Sequence, residues 1–567
     1  MYESPAPPTG AQAVPDSRGL NLFRADPDLQ KLAELYLPGG LAGHLQPHLD
    51  RLGALAGGEL DELASVADHN PPVLRARTRR GEDAQSIDYH PAYRRLEQTA
   101  FGDYGLAALS HRPGVLGWDA AMPAAAKYVI TYLFVQAEFG LCCPVSMTDS
   151  LTRTLRKFGS EELIARYLPA LTSQDLDVLN QGAMFMTEQG AGSDVGATAV
   201  TASPQADGTW ALHGEKWFCS NADAELAMVL ARREDGEPGL KGVSLFLLPR
   251  TLPDGTANRY RIVRLKDKLG TKSMASGEIS LDGATAWLVG DPGAGFKQMA
   301  DMVNNSRLSN GVRAAGLMRR ASTEALYIAH RREAFGKRLI EMPLMRRQLL
   351  KMVVPAEQAR SMMFQTAEAL RRSDGGDEGA YPLLRILTPL IKFRACRDAR
   401  KVTGDAMEVR GGCGYIEEWS DARLVRDAHL GSIWEGTSNI VALDVIRAAQ
   451  REGSLPVLRA HVAGLCDDSD APAELLPALD RAIALAEAAQ DDVAQTRQAA
   501  SALYHLTSAA ALAWEAKRLA APHRLALARA VLTHRVLPSD PLAATPAEDP
   551  DLAPLLADPG ADAKLKD

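Results

Sequence analysis

The spacing of apolar residues changes period twice along this chain, and those two changes dictate how it divides. From 27 to 177 apolar side chains recur three and four apart, as at Leu151, Leu155, Phe158, Leu163, Tyr167 and Leu168, with charged residues between them. That is the period of one face of a helix. At Asn180 the pattern shifts to short runs rich in β-branched and aromatic residues, bounded by turn signals: 210–219, 226–231, 243–248, 260–265 and 277–281. Such runs read as strands. Helical spacing returns at Phe296 and holds to Gln450, with Gly316, 372–379 and 411–414 marking turns. That length accommodates roughly four to six long helices. The fold class is therefore mainly α with a central β domain.

At 567 residues the chain exceeds what one hydrophobic core supports. The expected divisions are an N-terminal extension 1–60, a helical domain 61–179, a β domain 180–295, a helical bundle 296–450, a further Ala/Leu-rich helical domain 451–537 and a flexible tail 538–567. The formal net charge of −8 selects no polyanionic partner by bulk electrostatics. Six cysteines (Cys142, Cys143, Cys219, Cys396, Cys413, Cys466) form no C-x-x-C pair and no Cys/His cluster at ligand spacing, so reduced thiols and no metal are expected. Residues 1–19 are rich in Pro, Ala and Gly without a basic start and apolar run, unlike a secretory leader, and read as a flexible or partner-packed lead-in. No uncharged apolar run reaches the ~18 residues of a membrane span, so a cytoplasmic protein without membrane association is expected.

Three segments carry chemistry. In Met186-Thr187-Glu188-Gln189-Gly190-Ala191-Gly192-Ser193-Asp194-Val195 the glycines let backbone N–H groups approach an anionic or carbonyl oxygen, and Thr187 and Ser193 add hydroxyl donors. An ordinary β-domain loop fits the same residues. In Lys216-Trp217-Phe218-Cys219-Ser220-Asn221 alternate side chains take opposite faces of a strand. In Trp434-Glu435-Gly436-Thr437-Ser438-Asn439 a glutamate is set among glycine and hydroxyl residues. Together, and in this order, they resemble the flavin and catalytic signatures of the acyl-CoA dehydrogenase family, whose α/β/α architecture would span about 61–450, followed here by a C-terminal helical extension.

The resemblance implies FAD as cofactor, an acyl-CoA thioester as substrate and α,β-dehydrogenation to a trans-enoyl thioester, with electrons leaving to an electron-transfer flavoprotein. It places Met186 and Thr187 against the flavin ring and turns Ser193 toward the CoA arm. Phe218 takes the place of a ring-packing aromatic, often Trp in the family, and Ser220 that of a hydroxyl facing flavin N5, often Thr. Arg332-Glu333-Ala334-Phe335-Gly336 resembles the turn whose arginine meets the flavin pyrophosphate of a neighbouring subunit, which implies a homotetramer; arginine suits this because its fork pairs two phosphate oxygens. Taken alone, Arg332 equally fits a helix-end cation. Gly412 falls in the glycine turn over the adenine, where Glu408 and Arg410 depart from the usual Gln and aliphatic residue, while Thr437 and Asn439 take flavin-contacting places. Glu435 takes the place of the catalytic base, a role suited to a carboxylate in a dry pocket. Arg307 occupies the position of an arginine near the nucleotide end of the substrate, although one arginine among several on a helix reads the same way. Some members carry the base just before that arginine, where this chain has Ser306.

The segments Asn21-Leu22-Phe23, Asn70-Pro71-Pro72, Tyr89-His90-Pro91-Ala92, Cys143-Pro144-Val145-Ser146-Met147-Thr148 and Pro343-Leu344-Met345-Arg346, with the extension after Gln450, resemble the AidB-like branch, induced in the adaptive response to DNA alkylation. That branch implies weak dehydrogenation of a short branched thioester such as isovaleryl-CoA. It also leaves open a second class, a DNA-binding or protective flavoprotein using double-stranded DNA contacts in the C-terminal domain. Over 451–567 there are 11 Lys/Arg against 17 Asp/Glu, a balance of −6, unlike an electrostatic footprint for phosphate. Arg497, Lys517, Arg518, Arg524, Arg529 and Arg535 remain as candidates for a narrower basic face.

Overall fold

The computed structural model describes residues 13–544 and 548–561. The chain opens with helices α1 (Pro27–Tyr36), α2 (Leu41–Ala56), α3 (Glu59–His69), α4 (Pro91–Glu97), α5 (Ala124–Phe134), α6 (Cys142–Phe158) and α7 (Glu161–Leu171). Local chemistry sets their starts: the Asp26 carboxylate accepts from Leu29 N at 3.2 Å ahead of Pro27, and Ser160 Oγ accepts from Leu163 N at 3.3 Å, satisfying backbone donors that the first helical turn leaves free. Every side chain of α5 is buried, as expected of a helix enclosed on all sides. One departure from the helical expectation lies between α3 and α4, where β1 (Val73–Arg77) and β2 (Asp83–Asp88) form an antiparallel hairpin. Its side chains are mostly exposed, so it lacks the apolar alternation that signals a strand.

The central domain contains β3 (Gly182–Phe185), β4 (Thr201–Pro204), β5 (Trp210–Ser220), β6 (Leu226–Arg233), β7 (Val243–Pro249), β8 (Tyr260–Leu265) and β9 (Ser276–Val289). Pairings run β4-β5-β9-β7-β6 and return from β6 to β4, closing a barrel, with β3 also on β6 and β8 on β9. Along β6, Leu226, Met228 and Leu230 face the helical core while Ala227, Val229 and Ala231 fill the barrel. With both faces buried, the strand reads as an unbroken apolar run.

Five further helices follow: α8 (Gly295–Arg331), α9 (Pro343–Asp374), α10 (Ala380–Arg410), α11 (Ser420–Gly431) and α12 (Ser438–Glu452). Gly316 does not mark a turn: it lies inside α8, where a Cβ would collide with Val135 and with the Tyr132 carbonyl. Glycine is needed there for close crossing with α5. The extension comprises α13 (Ser454–Asp467), α14 (Leu475–Ala488), α15 (Thr496–Leu519) and α16 (Pro522–Val531). Buried polar contacts lock it to the rest: Arg524 meets Glu357 at 3.0 Å and, within the extension, Glu515, while Ser361 and Tyr36 donate to Glu515 at 2.7 and 2.9 Å.

Both ends differ from the expected loose segments. Of the lead-in 1–19, residues 1–12 lie outside the described residues, but Ser17 is buried and donates to Glu324 at 2.6 Å. In the tail, 545–547 and 562–567 lie outside the described residues. Leu552 and Leu556 nevertheless pack into the core, the His330 ring meets the Leu556 carbonyl at 2.7 Å and Arg331 pairs with Asp558 at 2.8 Å. Two leucines four apart on a short 3-10 helix, Pro550–Leu556, together with those polar contacts anchor that segment. Among the described residues, no helix is long and apolar enough to cross a membrane.

Candidate active site

Ser306, Asn310 and Arg313 recur four and three apart on α8 and therefore share one face. Opposite them lies the loop between α11 and α12 that carries Glu435. The Glu435 backbone is left-handed, φ +49°, followed by Gly436 at +101°. A non-glycine residue in that region is strained and persists only where its surroundings hold it. Here Arg307 Nε donates to the Glu435 carbonyl at 2.9 Å and Lys392 Nζ to the Gly436 carbonyl at 2.7 Å. Arg307 is itself fixed by Asp444 at 2.7 Å, which also holds Arg385 at 2.6 Å.

The carboxylate is held as firmly as the backbone. Ser306 Oγ donates to Oε1 at 2.8 Å, and Asn310 Nδ2 donates to Oε2. The Trp434 indole N–H donates to Asn310 Oδ1 at 2.7 Å, which fixes the way the amide faces. Burial pushes the Cys143 thiol up to about 11, against the pull of Arg313, Lys268 and a hydrogen bond with Ser220, so it stays neutral.

On that strand a bulge between Lys216 and Cys219 breaks the alternation. Cys219 enters the barrel interior, Phe218 is left 57% exposed, and Ser220 Oγ lies 3.4 Å from Ser276 Oγ. The Met186–Val195 turn is fastened by a buried pair, Lys216 Nζ to Glu188 at 2.6 Å; Lys216 also donates to the Met186 carbonyl at 3.2 Å. Glu188 in turn accepts from Ala199 N at 2.7 Å, and Trp217 N donates to the Thr187 carbonyl at 2.8 Å. Among the described residues the hydroxyls of Thr187, Ser193 and Thr437 have no internal hydrogen-bond partner, and a Cβ at Gly190, Gly192 or Gly412 would meet open space. Free hydroxyls, open glycines and a bared aromatic fit a planar, carbonyl-rich ring system such as a flavin.

Arg332 and Phe335 lie in a second location. Glu333–Ala334 pairs with Lys337–Arg338 through a two-residue turn, Phe335 at φ +54° and Gly336 at +74°, the backbone of a tight type I′ hairpin. The Phe335 ring is 98% exposed. Arg332 Nη1 donates to the Arg410 carbonyl at 2.9 Å, joining this hairpin to the Gly411–Tyr415 turn that contains Gly412. The unusual Arg410 has a structural explanation: its buried guanidinium pairs with Glu324 at 2.7 Å and Asp421 at 2.5 Å. Asn439 accepts from Arg497 at 3.3 Å. Of the candidate phosphate-binding cations, Arg524 is fully buried and Arg518 pairs with Asp468 at 2.8 Å, which removes Arg524 from any basic face.

Sequence reading missed Asn310, Lys392, Arg313, Glu188 and Lys216. Glu188 and Lys216 lie inside the quoted segments but were given no role there, and polar residues along a long helix resemble its solvated side.

Comparison with known proteins agrees with this geometry. The family model for the acyl-CoA dehydrogenase C-terminal domain matches 293–450, that for the middle domain 183–284, and that for the AidB N-terminal domain 12–178. AidB of Escherichia coli (strain K12) is 34% identical over 408 residues, 70% of this chain and 72% of that protein. The structure of Caenorhabditis elegans ACDH-11 in complex with C11-CoA superposes with a TM-score of 0.86 at 28% identity, covering 94% of this chain and 93% of that one. An acyl-CoA dehydrogenase from Bacillus anthracis, complexed with FAD, shares the fold with a TM-score of 0.64 at 20% identity, covering 84% and 85%. The chain belongs to the acyl-CoA dehydrogenase family, in its AidB-like branch.

Proposed function

We propose that the protein is an FAD-dependent acyl-CoA dehydrogenase in which Glu435 removes the α-proton of an acyl-CoA thioester. The observation that carries this reading is the Glu435 cradle: a carboxylate on a strained backbone, fixed by Ser306, Asn310, Arg307 and Lys392, beside the Ser220 strand. Such fixation is what proton transfer at a carbon acid requires, since the base must meet a defined C–H without reorganising. FAD would be held by Met186, Thr187, Phe218, Ser220, Thr437 and Asn439, with Ser193 toward the CoA arm. When bound it would supply acceptance of the β-hydride, with an electron-transfer flavoprotein as the onward acceptor. Trp434 and Phe139, stacked with centroids 6.0 Å apart, would shield the neighbouring Glu435 from water. Arg307 is given a positioning role, since its Nε donates to the Glu435 carbonyl and its Nη1 to Asp444 and Asn304.

In this reading the assembly is a homotetramer in which Arg332 and Phe335 complete the cofactor site of a neighbour. The near-complete exposure of Phe335, with Tyr415 at 80%, supports it, because apolar side chains bared together mark interaction surfaces. Glu435→Gln is expected to lower steady-state dehydrogenation by at least about 10²-fold, the low end of what general base catalysis contributes, with FAD content unchanged. Full activity in that variant would refute the assignment of the base.

A further inference from the structure

Arg313 is unlike the other arginines of the site. Its side chain is wholly buried, yet Nη1 and Nη2 find no hydrogen-bond partner among the described residues. Only Nε is used, donating to the Ser309 carbonyl at 3.3 Å. The guanidinium lies over the Trp434 ring at 4.9 Å and the Phe139 ring at 5.5 Å. The nearby carboxylates are already engaged, Glu435 by Ser306 and Asn310, and Asp444 by Arg307 and Arg385. The neighbouring thiols of Cys142, Cys143 and Cys396 are driven up by burial and stay neutral. Lys392 adds a second buried cation whose hydrogen bond goes to a backbone carbonyl. Among these groups the cations Arg307, Arg313, Arg385 and Lys392 outnumber the carboxylates Glu435 and Asp444. A buried guanidinium with two free donor groups is strongly unfavourable unless an anion meets it.

Its position indicates which anion. Ser306, Asn310 and Arg313 line one face of α8, and at 1.5 Å per residue Arg313 lies about 4–5 Å further along the axis than Asn310. Glu435 is gripped between Ser306 and Asn310, and Trp434, which donates to Asn310, also stacks against the Arg313 guanidinium, so Arg313 stands beside the base on the same helix face. We propose that Arg313 is a specificity-determining residue that receives a carboxylate at the far end of the acyl chain, so that the preferred substrates are short ω-carboxylacyl-CoA thioesters. This rests on the reading of Glu435 as the base facing the α-carbon. The planar fork of arginine pairs a carboxylate through two parallel hydrogen bonds, and the two free Nη groups are the donors that this needs.

The test measures binding separately from chemistry. Glu435→Gln holoenzyme, which is not expected to turn over, is titrated calorimetrically with succinyl-, glutaryl- and adipoyl-CoA and with butyryl-, valeryl- and hexanoyl-CoA. At least one dicarboxylic thioester is expected to bind about 10- to 100-fold tighter than its methyl-terminated match. Adding Arg313→Met should abolish or reverse that preference, and Arg313→Lys should retain part of it. Thermal melting and FAD content confirm that each variant is folded; because Arg313→Met removes an unpaired buried charge, it should not lower the melting temperature. Equal binding within every pair, or a preference that survives Arg313→Met, overturns the proposal. A shift of the flavin midpoint potential without any change in acyl preference would assign the cation to the flavin and also overturn it. Anaerobic mixing of the preferred thioester with wild-type protein tests the base separately: a retained binding preference with no flavin reduction contradicts the Glu435 reading alone.

Discussion

Asn310 does two jobs with one amide, donating to Glu435 and accepting from Trp434. Asn310→Ala leaves an indole N–H without its acceptor and frees one carboxylate oxygen. We expect kcat/KM to fall about 10- to 100-fold, the range for a lost hydrogen bond to a charged group, with FAD retained; unchanged kinetics would show that the amide does not hold the base. Asp427 supplies a pH prediction. Burial first, then Glu138, pushes its carboxyl up to about 7, while Oδ1 accepts from Thr271 N at 2.6 Å. Between about pH 4 and 7 the folded chain thus keeps a proton that the unfolded chain has released, so this contribution is full below that window and lost as pH rises through it. Asp427→Asn keeps the acceptor and should flatten that slope, gaining about 2–4 kcal/mol at pH 8 relative to wild type in denaturant unfolding. An unaltered pH profile would contradict it. Glu435 stood out in the sequence through the resemblance of its segment to a family signature, whereas Ser306 was noted only at the place of an alternative base and Asn310 and Arg313 not at all. They come from over 120 positions away, and their spacing becomes chemical only when α8 meets the loop.

At the level of elements, strands with both faces buried were the most legible, because β-branched and aromatic runs have few other uses. The strand expected to stop at Leu281 continues to Val289: Gly283, at φ +71°, accommodates a register shift instead of ending the strand. The β1–β2 hairpin escaped notice because its exposed arginines carry no apolar alternation, and Gly316 misled because a glycine required by a helix crossing looks like a turn. The extension was legible as amphipathic helix, but its attachment was not, since Arg524 reads as a surface charge until Glu515 and Glu357 enclose it. Removing one member of such a buried network strands the others. Arg524→Ala should destabilise the fold by about 3–5 kcal/mol in urea unfolding, and a loss under 1 kcal/mol would mean that α15 and α16 are held by apolar packing alone.

For the whole molecule, the proposed function has the helix, barrel and helix order bring three regions to one flavin-type site: the Met186–Val195 turn, the bulged strand and the Glu435 loop. Phe335 stands apart from it at the tip of a rigid hairpin. If it completes a neighbour's site, Phe335→Ser should shift light-scattering mass from tetramer toward smaller species and lower FAD content together. A tetramer with full FAD would contradict that role. The most direct test of the central claim is anaerobic addition of acyl-CoA thioesters, isovaleryl-, undecanoyl- and glutaryl-CoA among them, to the FAD-loaded protein while flavin absorbance is followed. Rapid bleaching by at least one thioester, abolished by Glu435→Gln, is the predicted result. A flavin that stays oxidised with every thioester, or bleaches equally in the variant, would contradict it.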